Sequence, residues 1–136
     1  MEGSREAIFE RLKHSLQLLA SQPEIQLRLL PSFVCRADEL ALDFDQWREM
    51  VLHNYAEDLS PDRRSALALL DEKLTWLTTN GKEHWTDQAI KESDEWKNIR
   101  ALAVIALNTF GWSIETPPSH SREYRSGGRI EDPSQN

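Results

Sequence analysis

The sequence predicts an all-α fold: a single compact bundle of about five helices over residues 1–114, followed by a disordered tail over residues 115–136. Three observations predict it. Apolar residues recur at intervals of three or four along most of the chain, which is the spacing of one helix face. Capping residues, prolines and glycines punctuate those segments at the positions where helices start and stop. Only residues 24–29, EIQLRL, alternate as a strand would, and a lone strand has nothing to pair with.

The 136 residues, 39% hydrophobic with five tryptophans, suffice for one domain with a sizeable core. Ile8, Leu12, Leu16 and Leu19 define a first amphipathic helix that starts at Ser4 and closes near Gln22, before Pro23. Residues 24–29 then form a short helix or an extended connector, with Pro23 suited to a first helical position. Pro31 ends it, and Phe33 and Val34 are expected to tuck the following loop against the core.

The next apolar face is Leu40, Phe44, Trp47, Val51 and Tyr55. Leu42 falls outside that face, and Asp43 with Gln46 matches a capping box. A break near Asp43, with the helix proper beginning at Phe44, reconciles the two. A third long helix has Ser60 as N-cap, Pro61 at its first position and Gly81 beyond its end, with Leu67, Leu70, Leu74 and Leu77 inward. Thr86 and Asp87 open a short helix through Glu92. Ser93 or Asp94 caps a last helix ending at Phe110 and Gly111. Its stripe of Trp96, Ile99, Ala103, Ala106 and Phe110, with Val104 and Ile105 off the stripe, makes it apolar nearly all round, so it is expected to be the central element. From Glu115 onward, Pro, Ser, Gly and charge dominate and leave little to bury.

Charge is unevenly placed. The formal net charge is −7, and residues 36–62 alone carry −6, from eight acids against Arg36 and Arg48. A single-sign surface attracts basic partners and repels phosphate backbones, so a basic protein partner is expected and direct nucleic-acid binding is not. Cys35 is the only cysteine, which rules out an intrachain disulfide and fits a reducing, cytoplasmic setting. It follows apolar Phe33 and Val34 and is expected to be a quiet buried thiol. Residues 101–107, ALAVIAL, form the longest apolar run, too short to span a bilayer, and no signal peptide is visible.

Two carboxylate and imidazole pairs, Glu49 with His53 and Glu10 with His14, have the i,i+4 spacing at which a helix can offer both groups to one metal ion or proton. Helical projection turns both pairs away from the apolar faces, however, and the Glu-x-x-His spacing of di-iron bundles is absent. They are read as solvated helix pairs. With no nucleophile elbow, phosphate loop, dinucleotide fingerprint or zinc-protease helix in the sequence, neither a catalytic residue nor a cofactor is assigned.

The binding reading rests on a column at Asp45, Glu49, His53 and Glu57, for which a solvated helix face is the simplest account. A second candidate surface is Leu69 and Trp76, seven residues apart and off the core face, which either packs under a neighbouring segment or serves a partner or a homodimer. In size, acidity and helical content the chain is similar in type to antitoxins and immunity proteins that neutralise basic toxins, though no motif carries that resemblance. The expected function is therefore a small, acidic, non-catalytic protein-binding module, with a metal-dependent or acid/base enzyme on the carboxylate and histidine pairs as the alternative.

Overall fold

Residues 2–118 are described by the computed structural model, with side chains from Arg5 onward. They form six α-helices and two single 3-10 turns: α1 (Glu2–Ala20), α2 (Pro23–Leu29), α3 (Arg36–Tyr55), α4 (Pro61–Thr79), α5 (Asp87–Glu92) and α6 (Asp94–Phe110), with the turns at Ala56–Asp58 and Lys82–His84. The described residues contain no strand, and no helix among them is long and apolar enough to cross a membrane.

Local chemistry accounts for most boundaries. The hydroxyl oxygens of Ser60, Thr86 and Ser93 accept from the backbone N–H of Arg63, Ala89 and Trp96, opening α4, α5 and α6. Each bond satisfies a donor that the first helical turn leaves free. Pro23 and Pro61 occupy first helical positions, where a missing N–H costs nothing. At the far end of α6, Gly111 adopts φ +75°, and the N–H groups of Gly111 and Trp112 donate to the carbonyls of Asn108 and Leu107. Both bonds belong to a Schellman closure, which needs a left-handed residue.

Packing places α1 between α3 and α6, while α6 carries α4 on another side and α5 braces it; α3 and α4 meet only sparingly. The centre is therefore shared. Every residue of α1 from Ser15 to Ala20 is buried, whereas α6 leaves Ile105 51% exposed, so α6 is not enclosed all round as its composition suggests. Trp96 and Phe44 are the largest fully buried side chains. The Trp96 indole donates to the His84 carbonyl at 2.8 Å, which removes the cost of burying its N–H.

Two polar side chains stitch the interior. Gln26, fully buried, donates to the carbonyls of Leu18 and Leu19 at the end of α1 and accepts from Arg100. Gln17 donates to the Ser113 carbonyl at 3.0 Å, fastening the segment after α6 to α1. Beyond residue 114, Glu115 and Thr116 are exposed while Pro117 is buried. The expected disorder of residues 119–136 falls outside the described residues.

Three expectations change. α3 is continuous from Arg36, with no break at Asp43. The Asp43 carboxylate accepts from the Trp47 indole at 3.2 Å, and Leu42 simply stands exposed. Phe33 does not tuck inward: it is 76% exposed, and Leu30 anchors that loop instead. Cys35 is exposed as well, its thiol donating to the Trp85 carbonyl. Within the α3 face, Leu40, Phe44 and Val51 are fully buried. Trp47 and Tyr55 are half-buried, with Arg11 over the Trp47 ring and Phe9 against Tyr55.

Candidate functional site

Because α3 and α4 touch so little, a groove of about 350 Å³ opens between them. Its two walls have the same spacing. Asp38, Ala41, Leu42 and Asp45 come from α3, and Asp71, Leu74, Thr75 and Thr78 from α4, in each case residues i, i+3, i+4 and i+7, which form one ridge on a helix. Phe44 and Leu74, both buried, lie at its base, and Trp85 closes one end. That tryptophan is held by an indole bond to the Leu77 carbonyl at 3.2 Å and an edge-on contact with Trp96.

The groove is apolar below and acidic above. Arg48 is the base that works on this surface: its Nη2 lies 2.8 Å from both Asp45 and Glu49 and 3.5 Å from Asp71. Its side chain is only 12% exposed. Burial alone would depress the guanidinium pKa, but the bond from Asp45 and the fields of Asp71, Asp45 and Glu49 outweigh it and hold the group above its ordinary value. Three carboxylates thus share one positive charge. Asp38 has no ion-pair partner among the described residues; burial first, and the neighbouring Glu39 second, raise its pKa above the usual aspartate range. Around the groove, charge remains negative after internal pairing.

The sequence-predicted residues distribute as follows. Asp45 and Glu49 are together at the groove edge through Arg48, and His53 is exposed further along α3. Glu57 is not part of the same helical column, because α3 ends at Tyr55 and Glu57 sits in the 3-10 turn that follows. Leu69 and Trp76 are both uncovered, 50% and 42% exposed. They share a shallow depression with Leu102 of α6, where Lys73 lies over the Trp76 ring at 4.4 Å. That depression is on the flank of α4 facing α6, away from Asp71 and Thr75, so the acidic column and Trp76 do not form one surface.

Glu10 and His14 do pair, at 3.1 Å, with Lys13 also on Glu10. The His14 side chain is only 14% exposed rather than solvated, and its buried Nδ1 has no hydrogen-bond partner. Burial lowers the His14 pKa, against the opposing pull of Glu10. Glu49 is engaged by Arg48. Among the described residues no group of three or more His, Cys, Asp or Glu side chains is placed to hold a metal ion.

Asp38, Asp71, Leu42 and Trp85 were not singled out by sequence reasoning as site residues. The one available signal was Leu42, the apolar residue that fitted no core face. No protein-family model matches the chain, and neither a curated protein nor a solved structure shows significant similarity to it.

Proposed function

We propose that the protein is a non-catalytic binding module that receives a basic segment of a partner protein in the α3–α4 groove. The observation that carries this reading is the pairing of an apolar base at Phe44 and Leu74 with the carboxylates of Asp38, Asp45 and Asp71. Such a surface supplies both halves of a protein contact. Carboxylates steer a cationic chain and set its register, while the apolar base and Leu42 give area that loses water on contact. Glu49 and His53 extend the acidic approach along α3. An inhibitor, immunity or antitoxin role is the form of this function that suits a small acidic protein, and the exposed Cys35 accords with a reducing, cytoplasmic setting.

The exposed pair Leu69 and Trp76 supports a second, separate contact, including self-association, that would leave the groove accessible. The alternative of a metal or acid/base enzyme has less support, because Glu49 is turned to Arg48 and, among the described residues, the Glu10–His14 pair belongs to no group of three or more His, Cys, Asp or Glu side chains placed to hold a metal ion.

Affinity capture with the wild-type protein and with Asp38→Lys/Asp45→Lys as baits tests the reading. The expected result is a set of basic proteins retained by the wild type, released by raised salt and lost with the variant. Identical retention by both baits would overturn the groove as the binding surface.

A further inference from the structure

Separate from the acidic groove and sharing no lining residue with it, an open cleft of about 540 Å³ is framed by α2, α5 and α6. Its charge is opposite to that of the chain as a whole. Lys91, Lys97 and Arg100 line it, against the single carboxylate of Glu24. Both lysines are exposed, and the nearest acid to Lys97 is Asp94, at 3.9 Å and almost fully in water. The charges that line the cleft sum to +2, or about +1 once Asp94 beside Lys97 is counted, and they dominate at short range, since the excess acid on α3 is screened beyond roughly 8 Å in physiological salt.

Arg100 distinguishes this cleft from an ordinary basic surface. It is nine-tenths buried, and its bonds run from Nη1 alone, to the Gln26 side-chain oxygen at 3.4 Å and the Ile90 carbonyl at 3.1 Å. Both acceptors are neutral, and among the described residues no carboxylate forms an ion pair with it. A buried guanidinium is costly unless an anion meets it. Desolvation accordingly holds its pKa below the ordinary arginine value despite the opposing field of Glu24. Gln26 and Ile90 fix one edge of the fork, which leaves the rest of a planar donor set pre-positioned at the cleft.

We propose that this cleft binds a small organic phosphomonoester, its phosphate held by Arg100, Lys91 and Lys97. A phosphate offers three acceptor oxygens and up to two negative charges to one guanidinium and two ammonium groups, where a monocarboxylate offers two oxygens and one charge. The cleft far exceeds a bare phosphate in volume, and its remaining wall includes the apolar Ala20, Pro23, Ala101 and Val104, which suit the organic body of such a ligand.

Titration of the full chain with phenyl phosphate at constant ionic strength, followed by amide chemical shifts, tests the proposal. The expected result is saturable binding with a Kd of about 1 mM or tighter, with shifts at Ala101, Val104 and Gln22. Benzoate should bind at least about tenfold more weakly, and Lys91→Gln/Lys97→Gln should weaken phenyl phosphate by about tenfold or more. Arg100→Gln should remove binding; since that residue also braces Gln26, the exposed lysine pair decides the matter if the arginine variant does not fold. Failure to saturate, shifts confined to other surfaces, equal affinity for benzoate, or unchanged affinity in the lysine variant would each overturn it.

Discussion

The guanidinium of Arg48 reaches from α3 to within 3.5 Å of the Asp71 carboxylate on α4, across the seam where those two helices otherwise barely touch. It also holds Asp45 and Glu49 at 2.8 Å on its own helix. Removing it leaves three carboxylates facing one another with no counter-charge.

Arg48→Met keeps most of the packing of the side chain and deletes its charge. Stability should fall by about 2 kcal/mol, between the small worth of a surface pair and the large cost of breaking a buried one. Asp71→Asn should cost only about 0.5 kcal/mol, because that partner stands farther off, at 3.5 Å, and is itself a third exposed. Urea unfolding of the two single variants and the double variant measures the coupling across the seam. No loss in Arg48→Met would mean that the seam does not depend on this charge.

Gly111 closes α6 in the left-handed region at φ +75°, and a Cβ there would meet nothing within 4 Å. The penalty for replacement is therefore backbone strain alone. Gly111→Ala should destabilise by about 1 kcal/mol and Gly111→Asn by less, since asparagine tolerates that conformation. Thermal melts of the two variants, compared at equal concentration, give the order.

Burial lowers the His14 pKa, so the folded state resists its protonation more than the unfolded chain does. The contribution of neutral His14 to stability is then complete above about pH 6.5, the ordinary histidine value, and is lost as the pH falls from there through the depressed folded value. His14→Leu removes both the titration and the unsatisfied Nδ1. Urea midpoints at pH 7.5 and at pH 5.5 should show a smaller acid-side drop for the variant than for the wild type; equal drops would assign the pH dependence to other groups.

The parts of the fold that were legible are those governed by near neighbours in sequence. Ser60, Thr86, Ser93 and Gly111 act within one helical turn of themselves, and each closes or opens the helix it marks. Asp43 shows the limit of such reasoning. Its capping-box spacing competes with an indole donor at Trp47, and once Leu40 and Phe44 are both buried against the rest of the bundle, a continuous helix satisfies more of the chain. The acidic excess of residues 36–62 was readable as composition. The groove was not, because Asp71 lies on a different helix, and only the packing of α3 and α4 against the α1–α6 pair brings it to the Asp45 end of the groove that Asp38 also lines. Leu69 and Trp76 illustrate the converse: a helical wheel shows that they share a face, but whether a neighbour covers that face depends on the angle at which α6 crosses α4.

The placement of α1 between α3 and α6 bears on how the molecule is made. The hydrogen bond from Gln17 to Ser113 joins residues 96 positions apart, and α1 and α6 are of comparable remoteness. At typical elongation rates the ribosome needs roughly 5 to 20 s to traverse that interval. Throughout it, the leucines of α1 wait for their final cover, with α3 as an early companion and the α6 side still bare. Completion of the fold thus waits for α6, and until then the nascent chain carries the leucine face of α1 without its final cover.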